Sequence, residues 1–142
     1  MTILVALDDS EPAREALEYA ASTYSDSEIV ALHVVNPVAN RYLRDPASNY
    51  ADYERILEEA ETNAEELFEE ANEIAEAHGA SLTTETVLGR PASTIVDYLE
   101  EAEDVDHVVI GSHGRSGAAR ILLGSVAERV VRRSPAPVTV IR

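Results

Sequence analysis

The chain contains no cysteine, which excludes disulfides, thiolate metal sites and cysteine nucleophiles. It contains no lysine either, so all 11 basic residues are arginine. That excludes a phosphate loop of the form G-x-x-x-x-G-K-[S/T], whose lysine reaches the phosphates. The four histidines, His33, His78, His107 and His113, show no paired ligand spacing, so no zinc site is expected. No apolar run is long enough to span a membrane, and no signal-peptide pattern is present. The expectation is a soluble, cytoplasmic protein.

What the chain has in excess is negative charge. Its 27 Asp and Glu residues give a formal net charge of −16 over 142 residues. That balance argues against nucleic acid or an anionic membrane as partner. Self-repulsion of this size destabilises a compact state unless salt screens it. The composition therefore reads as adaptation to the salt-rich cytoplasm of a halophile. The melting temperature is expected to rise steeply from low to molar KCl, and a value unchanged across that range would remove the halophilic reading. The charge is also uneven. Residues 1–110 hold 26 acids and five arginines, whereas residues 111–142 hold six arginines and Glu128 as their one acid.

The length suits a single domain, 1–142, with a sizeable core. Thr2–Leu7 is a near-continuous apolar run, a central strand that ends at Asp8-Asp9-Ser10. Ser10 or Asp9 then caps a helix with Pro12 in its first turn, and Ala13, Ala16, Leu17, Ala20 and Tyr24 share one face. Ser27–Val35 is a second strand, in which His33 reads as a packed core residue. Asn36–Asn49 holds two prolines and no sustained period, so it reads as a loop. Tyr50–His78 is a long helix with an apolar stripe, eleven acids on its other faces and Gly79 as its stop. Leu82–Leu88 alternates as a strand nearer the sheet edge does, and Pro91 then opens a helix that buries Ile95, Val96 and Leu99. The order βαβαβαβαβ calls for an α/β fold, a parallel sheet with helices on both faces.

The most informative stretch follows Asp106–Ile110, which reads as a buried fourth strand. Gly111-Ser112-His113-Gly114 comes next, then nine residues, then Gly124-Ser125. Glycines three apart at a strand end let backbone N–H groups turn inward around an anion. Ser125 with Glu128 three residues on has the form of a capping box, which makes Ser125 a helix N-cap. The positive end of that helix would face the same space as the glycine turn. Arg115 and Arg120 lie between the two anchors and suit anion contact, whereas Arg129, Arg132 and Arg133 complement a helix C-terminus. Asp8, at the tip of the first strand, suits a ribose hydroxyl or a polar base edge.

Gly111–Ile141 resembles the C-terminal half of the universal stress protein family, whose nucleotide-binding branch carries G-x-x-G, nine residues, then G-[S/T]. With gaps, the resemblance covers nearly the whole chain except Asn36–Asn49. It implies a five-stranded doubly wound sheet in order 3-2-1-4-5, with Asp8 beside Gly111 where the chain reverses direction. It implies that Ala6, Asp8 and Val34 hold adenosine, with Val34 against the base, and that Gly111, Gly114, Gly124 and Ser125 hold phosphates. The implied cofactor is ATP or another adenine nucleotide, with any magnesium ion carried by the phosphates. Relatives commonly pair through the last strand, so a homodimer through Val138–Ile141 is expected. Asp9 stands where many relatives have glycine, and Ala6 replaces a frequent proline, so the base pocket differs in charge and shape.

Rival classes fare worse. A phosphoacceptor receiver domain needs an aspartate after strand three and a lysine after strand five, whereas strand three here ends in Leu88-Gly89 and lysine is absent. No nucleophile–base pair stands out, so binding is expected rather than catalysis, with slow ATP hydrolysis as the upper limit. The runner-up is a nucleotide-free dimeric interaction module of the same fold.

Overall fold

A computed structural model describes residues 1–36, 50–113 and 123–142. Its strands are β1 (Thr2–Ala6), β2 (Glu28–Val35), β3 (Ser81–Leu88), β4 (His107–Gly111) and β5 (Val138–Ile141). Its helices among the described residues are α1 (Glu11–Thr23), α2 (Tyr50–Ala77), α3 (Pro91–Glu101) and α4 (Ser125–Arg133). The strands form one parallel sheet in the order β3-β2-β1-β4-β5. The α/β class, the topology and the order all match the expectation. The loop expected over Asn36–Asn49 lies, from residue 37 on, outside the described residues.

β1 is central, and its apolar run is buried on both faces because helices cover both. Ile3 and Val5 pack with Ala16, Leu17 and Ala20 of α1 and with Leu67 and Ala71 of α2. Leu4 points the other way, toward Ile95 and Leu99 of α3 and Ala127 and Val130 of α4. Each such buried branched side chain contributes about 1.5–3 kcal/mol. The fully buried alanines of α1, Ala16, Ala20 and Ala21, let that helix lie close on the sheet.

α2 ends as its sequence predicts. Gly79 sits at φ 67°, a left-handed conformation that glycine adopts without a Cβ penalty. Its N–H donates to the Glu76 carbonyl at 3.0 Å, and the Ala80 N–H donates to the Ala75 carbonyl at 2.9 Å. Those are the two closing bonds of a Schellman cap. Most acids of α2 face solvent, but Glu70 is half-buried against α1. It accepts from Arg14 at 2.6 Å (Nε to Oε1) and 3.5 Å (Nη2 to Oε2).

Candidate functional site

β1 and β4 are neighbours, yet β1 leads into α1 on one face and β4 precedes α4 on the other. The crevice at the carboxyl ends of such strands is where open α/β sheets bind ligands. A cleft of about 920 Å³ opens there. Ala6, Asp8, Val34, Gly111, Gly124 and Ser125 all line it. Gly114, Arg115 and Arg120 lie outside the described residues.

The two glycine anchors, thirteen positions apart from Gly111 to Gly124, meet in space. The Gly124 N–H donates to the Ser112 carbonyl at 2.5 Å. A Cβ on Gly124 would stand 3.0 Å from His113 Cα and 3.1 Å from Ser112 O. At the other anchor, a Cβ on Gly111 would stand 2.7 Å from Pro12 Cβ and 2.8 Å from its carbonyl carbon. Gly111 is thus also the point where β4 touches the first turn of α1.

The expected capping box does not form. Gly124, at φ −69° and ψ 161°, is the N-cap of α4, and Ser125 is the first helical residue. Among the described residues no side chain caps the helix, and Glu128 turns forward to Arg132 at 2.9 Å. The tertiary bond from Gly124 to Ser112 sets where the helix begins and outweighs the local preference for serine as cap. Only from Glu128 onward does the ladder start, its N–H donating to the Gly124 carbonyl at 2.9 Å. The N–H groups of Ser125, Val126 and Ala127 precede that rung, and all three residues line the cleft. The start of α1 is different. Its Ala13 N–H donates to Ser10 Oγ at 3.3 Å, and Pro12 has no N–H to offer. Three helices begin at the cleft; among the described residues neither α3 nor α4 has a side-chain cap, but α3 opens on Pro91, which has no N–H to offer.

Asp8 builds the turn between β1 and α1, its Oδ1 accepting the Ser10 N–H at 2.8 Å. The other carboxylate oxygen remains as an acceptor at the cleft. Across from it, β2 runs past the end of β1, since the last β1–β2 rung is Ala6 with Leu32. The Val35 carbonyl faces β3, where it accepts the Gly89 N–H at 2.9 Å. Backbone groups alternate along a strand, so those of Val34 face the side that β1 has vacated.

Sequence reasoning missed several lining residues. His33, expected in the core, is half-buried and lines the cleft, with its Nδ1 2.9 Å from the Leu7 carbonyl and its ring edge-on to Phe68. Its place just before Val34 was the available signal. Pro91 and Ile95 of α3 join Val34 and Val126 in an apolar wall. Arg14, Asn63, Glu66 and Glu70 line the opposite side, where Glu70 raises the pKa of Arg14 through its hydrogen bond and then its charge. The α1–α2 contacts join residues 56 apart in the chain, which no local pattern reveals. Among the described residues no cluster of His, Cys, Asp and Glu is arranged to hold a metal ion, and no helix is long and apolar enough to cross a membrane.

Fold and motif converge on one family. Residues 1–142 match the Universal stress protein family, and the chain belongs to it. A universal stress protein of Methanocaldococcus jannaschii is 33% identical over 142 residues, covering 99% of this chain and 81% of that protein. The structure of universal stress protein UspA from Lactobacillus plantarum superposes with a TM-score of 0.88 at 27% identity, over 100% of this chain and 97% of the other. The universal stress protein of Archaeoglobus fulgidus, solved in complex with dAMP, shares the fold at 24% identity and a TM-score of 0.68, over 100% of this chain and 98% of that one.

Proposed function

We propose that the cleft binds an adenine nucleotide, ATP or a close relative, and that the protein works as a nucleotide-responsive regulatory module rather than as an enzyme. The observation that carries this reading is the start of α4, without a side-chain cap among the described residues, docked on the Ser112 carbonyl and opening into a cleft that also holds Asp8 and the Val34 backbone. N–H groups at a helix start suit phosphate. The Val34 backbone offers one donor and one acceptor, the pattern that matches an adenine edge, and Asp8 suits the ribose. Universal stress proteins that carry cAMP, AMP or dAMP show that the fold holds adenine nucleotides in those proteins.

The charge of the site bears on which nucleotide fits. Asp8, Asp9, Glu66 and Glu70 line the cleft, with Arg14 already engaged by Glu70. A bare triphosphate meets repulsion there, so the phosphates need Arg115, Arg120 or a magnesium ion that they carry themselves. Mass spectrometry of small molecules released from the purified protein tests the reading. An adenine nucleotide in stoichiometric amount supports it, and release of a different ligand class contradicts it.

The Ser125 hydroxyl is not occupied in capping, so its role is separable from stability. Ser125→Ala is expected to leave the ligand-free melting temperature unchanged and to weaken ATP about two- to tenfold, the effect of one neutral hydrogen bond. A lower melting temperature with unchanged ATP affinity would reverse the assignment.

The same reading includes a homodimer through β5. That strand is the sheet edge beyond β4. The carbonyls of Pro137 and Ile141 face β4, where they accept from Val108 and Ser112. By alternation, the backbone groups of Val138 and Val140 face outward, where an antiparallel copy could pair. Val140→Pro removes one outward donor without touching the β4 ladder. Light scattering is expected to show a dimer for the parent and a folded monomer for the variant, and a monomeric parent would remove the dimer.

A further inference from the structure

We infer that His33 is a positioning residue that keeps the Val34 backbone open to the ligand by occupying the Leu7 carbonyl. The inference rests on the nucleotide reading above and adds the device that prepares its base-binding edge. The Leu7 N–H still donates to the Leu32 carbonyl at 2.9 Å, as it would in a continuing parallel ladder. The next rung would pair Leu7 with His33, and its return bond would run from the Val34 N–H to the Leu7 carbonyl. That rung is absent, because the β1–β2 register stops at Ala6 with Leu32. The Leu7 carbonyl instead lies 2.9 Å from His33 Nδ1. A carbonyl oxygen only accepts, so Nδ1 carries the proton and donates. The edge-on contact with Phe68 of α2 holds the ring in place. Two donors, the His33 ring and the Val34 amide, thus compete for one acceptor, and the ring holds it.

The consequence lies one residue further along each strand. With its carbonyl bonded to the ring, β1 leaves the sheet at Leu7 and delivers Asp8 into the Ser10 turn. β2 continues without β1, paired only on its other side with β3, and the Val34 N–H stays available. Removal of the ring would release the Leu7 carbonyl to the Val34 N–H, adding a rung and closing the edge that reads the base.

Amide hydrogen exchange on the full chain in molar KCl tests this without any ligand. The Val34 amide is expected to exchange fast in the parent, at least tenfold more slowly in His33→Phe, and fast again in His33→Asn, whose side-chain N–H replaces Nδ1–H. His33→Leu repeats the loss of the donor with a smaller side chain, should the phenyl ring disturb the packing on Phe68. In calorimetry the Phe and Leu variants are expected to weaken adenosine and ATP by the same factor, roughly tenfold, with recovery in His33→Asn. A purely structural role would lower the melting temperature without slowing Val34. Equal Val34 exchange in all four proteins overturns the competition, and unchanged adenosine affinity in the Phe and Leu variants overturns its link to binding. A parent that binds neither adenosine nor ATP overturns the nucleotide reading, whereas the exchange contrast still decides the backbone half separately.

Discussion

Gly124→Val is expected to abolish ATP binding, a loss of roughly a hundredfold or more, equivalent to about 2.8 kcal/mol. The backbone there, φ −69° and ψ 161°, is open to any residue, so the effect does not come from backbone strain. It comes from contact. The first added carbon already sits 3.0 Å from His113 Cα and 3.1 Å from Ser112 O, and the valine branches reach further. Gly124 must then retreat from the Ser112 carbonyl, and the first turn of α4 retreats with it. Adenosine, held at Asp8 and Val34 on the proposed reading, should suffer far less. Titration calorimetry with both ligands shows whether the two halves separate, and ATP bound as tightly as by the parent would contradict the phosphate assignment. The same split is expected of Gly114→Val.

Gly111→Ala should act on the fold itself. Its methyl would lie 2.7 Å from Pro12 Cβ and 2.9 Å from the Pro12 carbonyl oxygen, so the first turn of α1 must move. Overpacking of this kind costs about 1–3 kcal/mol, which for a domain of this size lowers the melting temperature by roughly 3–10 °C. That turn also carries Asp8 and the Ser10 cap, so adenosine and ATP should both weaken. Thermal melts of ligand-free protein check this, and an unchanged melting temperature would show that the β4–α1 contact can yield. The contrast between the two glycines is the useful part, since one is expected to separate phosphate from nucleoside and the other to impair both.

Much of the fold was legible because its signals are local. The Thr2–Leu7 run, the alanine face of α1 and Gly79 each work within a few residues. The sheet order came through the family resemblance and not through periodicity. The site was legible in part, since the glycine spacing marked Gly111 and Gly124, which the fold brings to one crevice. The start of α4 was misread by one residue. A serine three before a glutamate fits a capping box, but the bond from Gly124 to Ser112 joins residues that local pattern cannot connect. His33 was misread because a polar residue inside an apolar strand looks like core. Its exposure depends on β1 stopping at Ala6, a fact of register. The pairing of Arg14 with Glu70 is long-range in the same sense.

Calorimetric titration of the parent protein with AMP and ATP in molar KCl, with GMP as the control, tests the central claim most directly. The account predicts saturable binding of both adenine nucleotides at one site per chain and much weaker binding of GMP. Absence of binding heat for AMP and ATP alike, at more than one temperature, would contradict it and leave the nucleotide-free dimer as the reading of this fold.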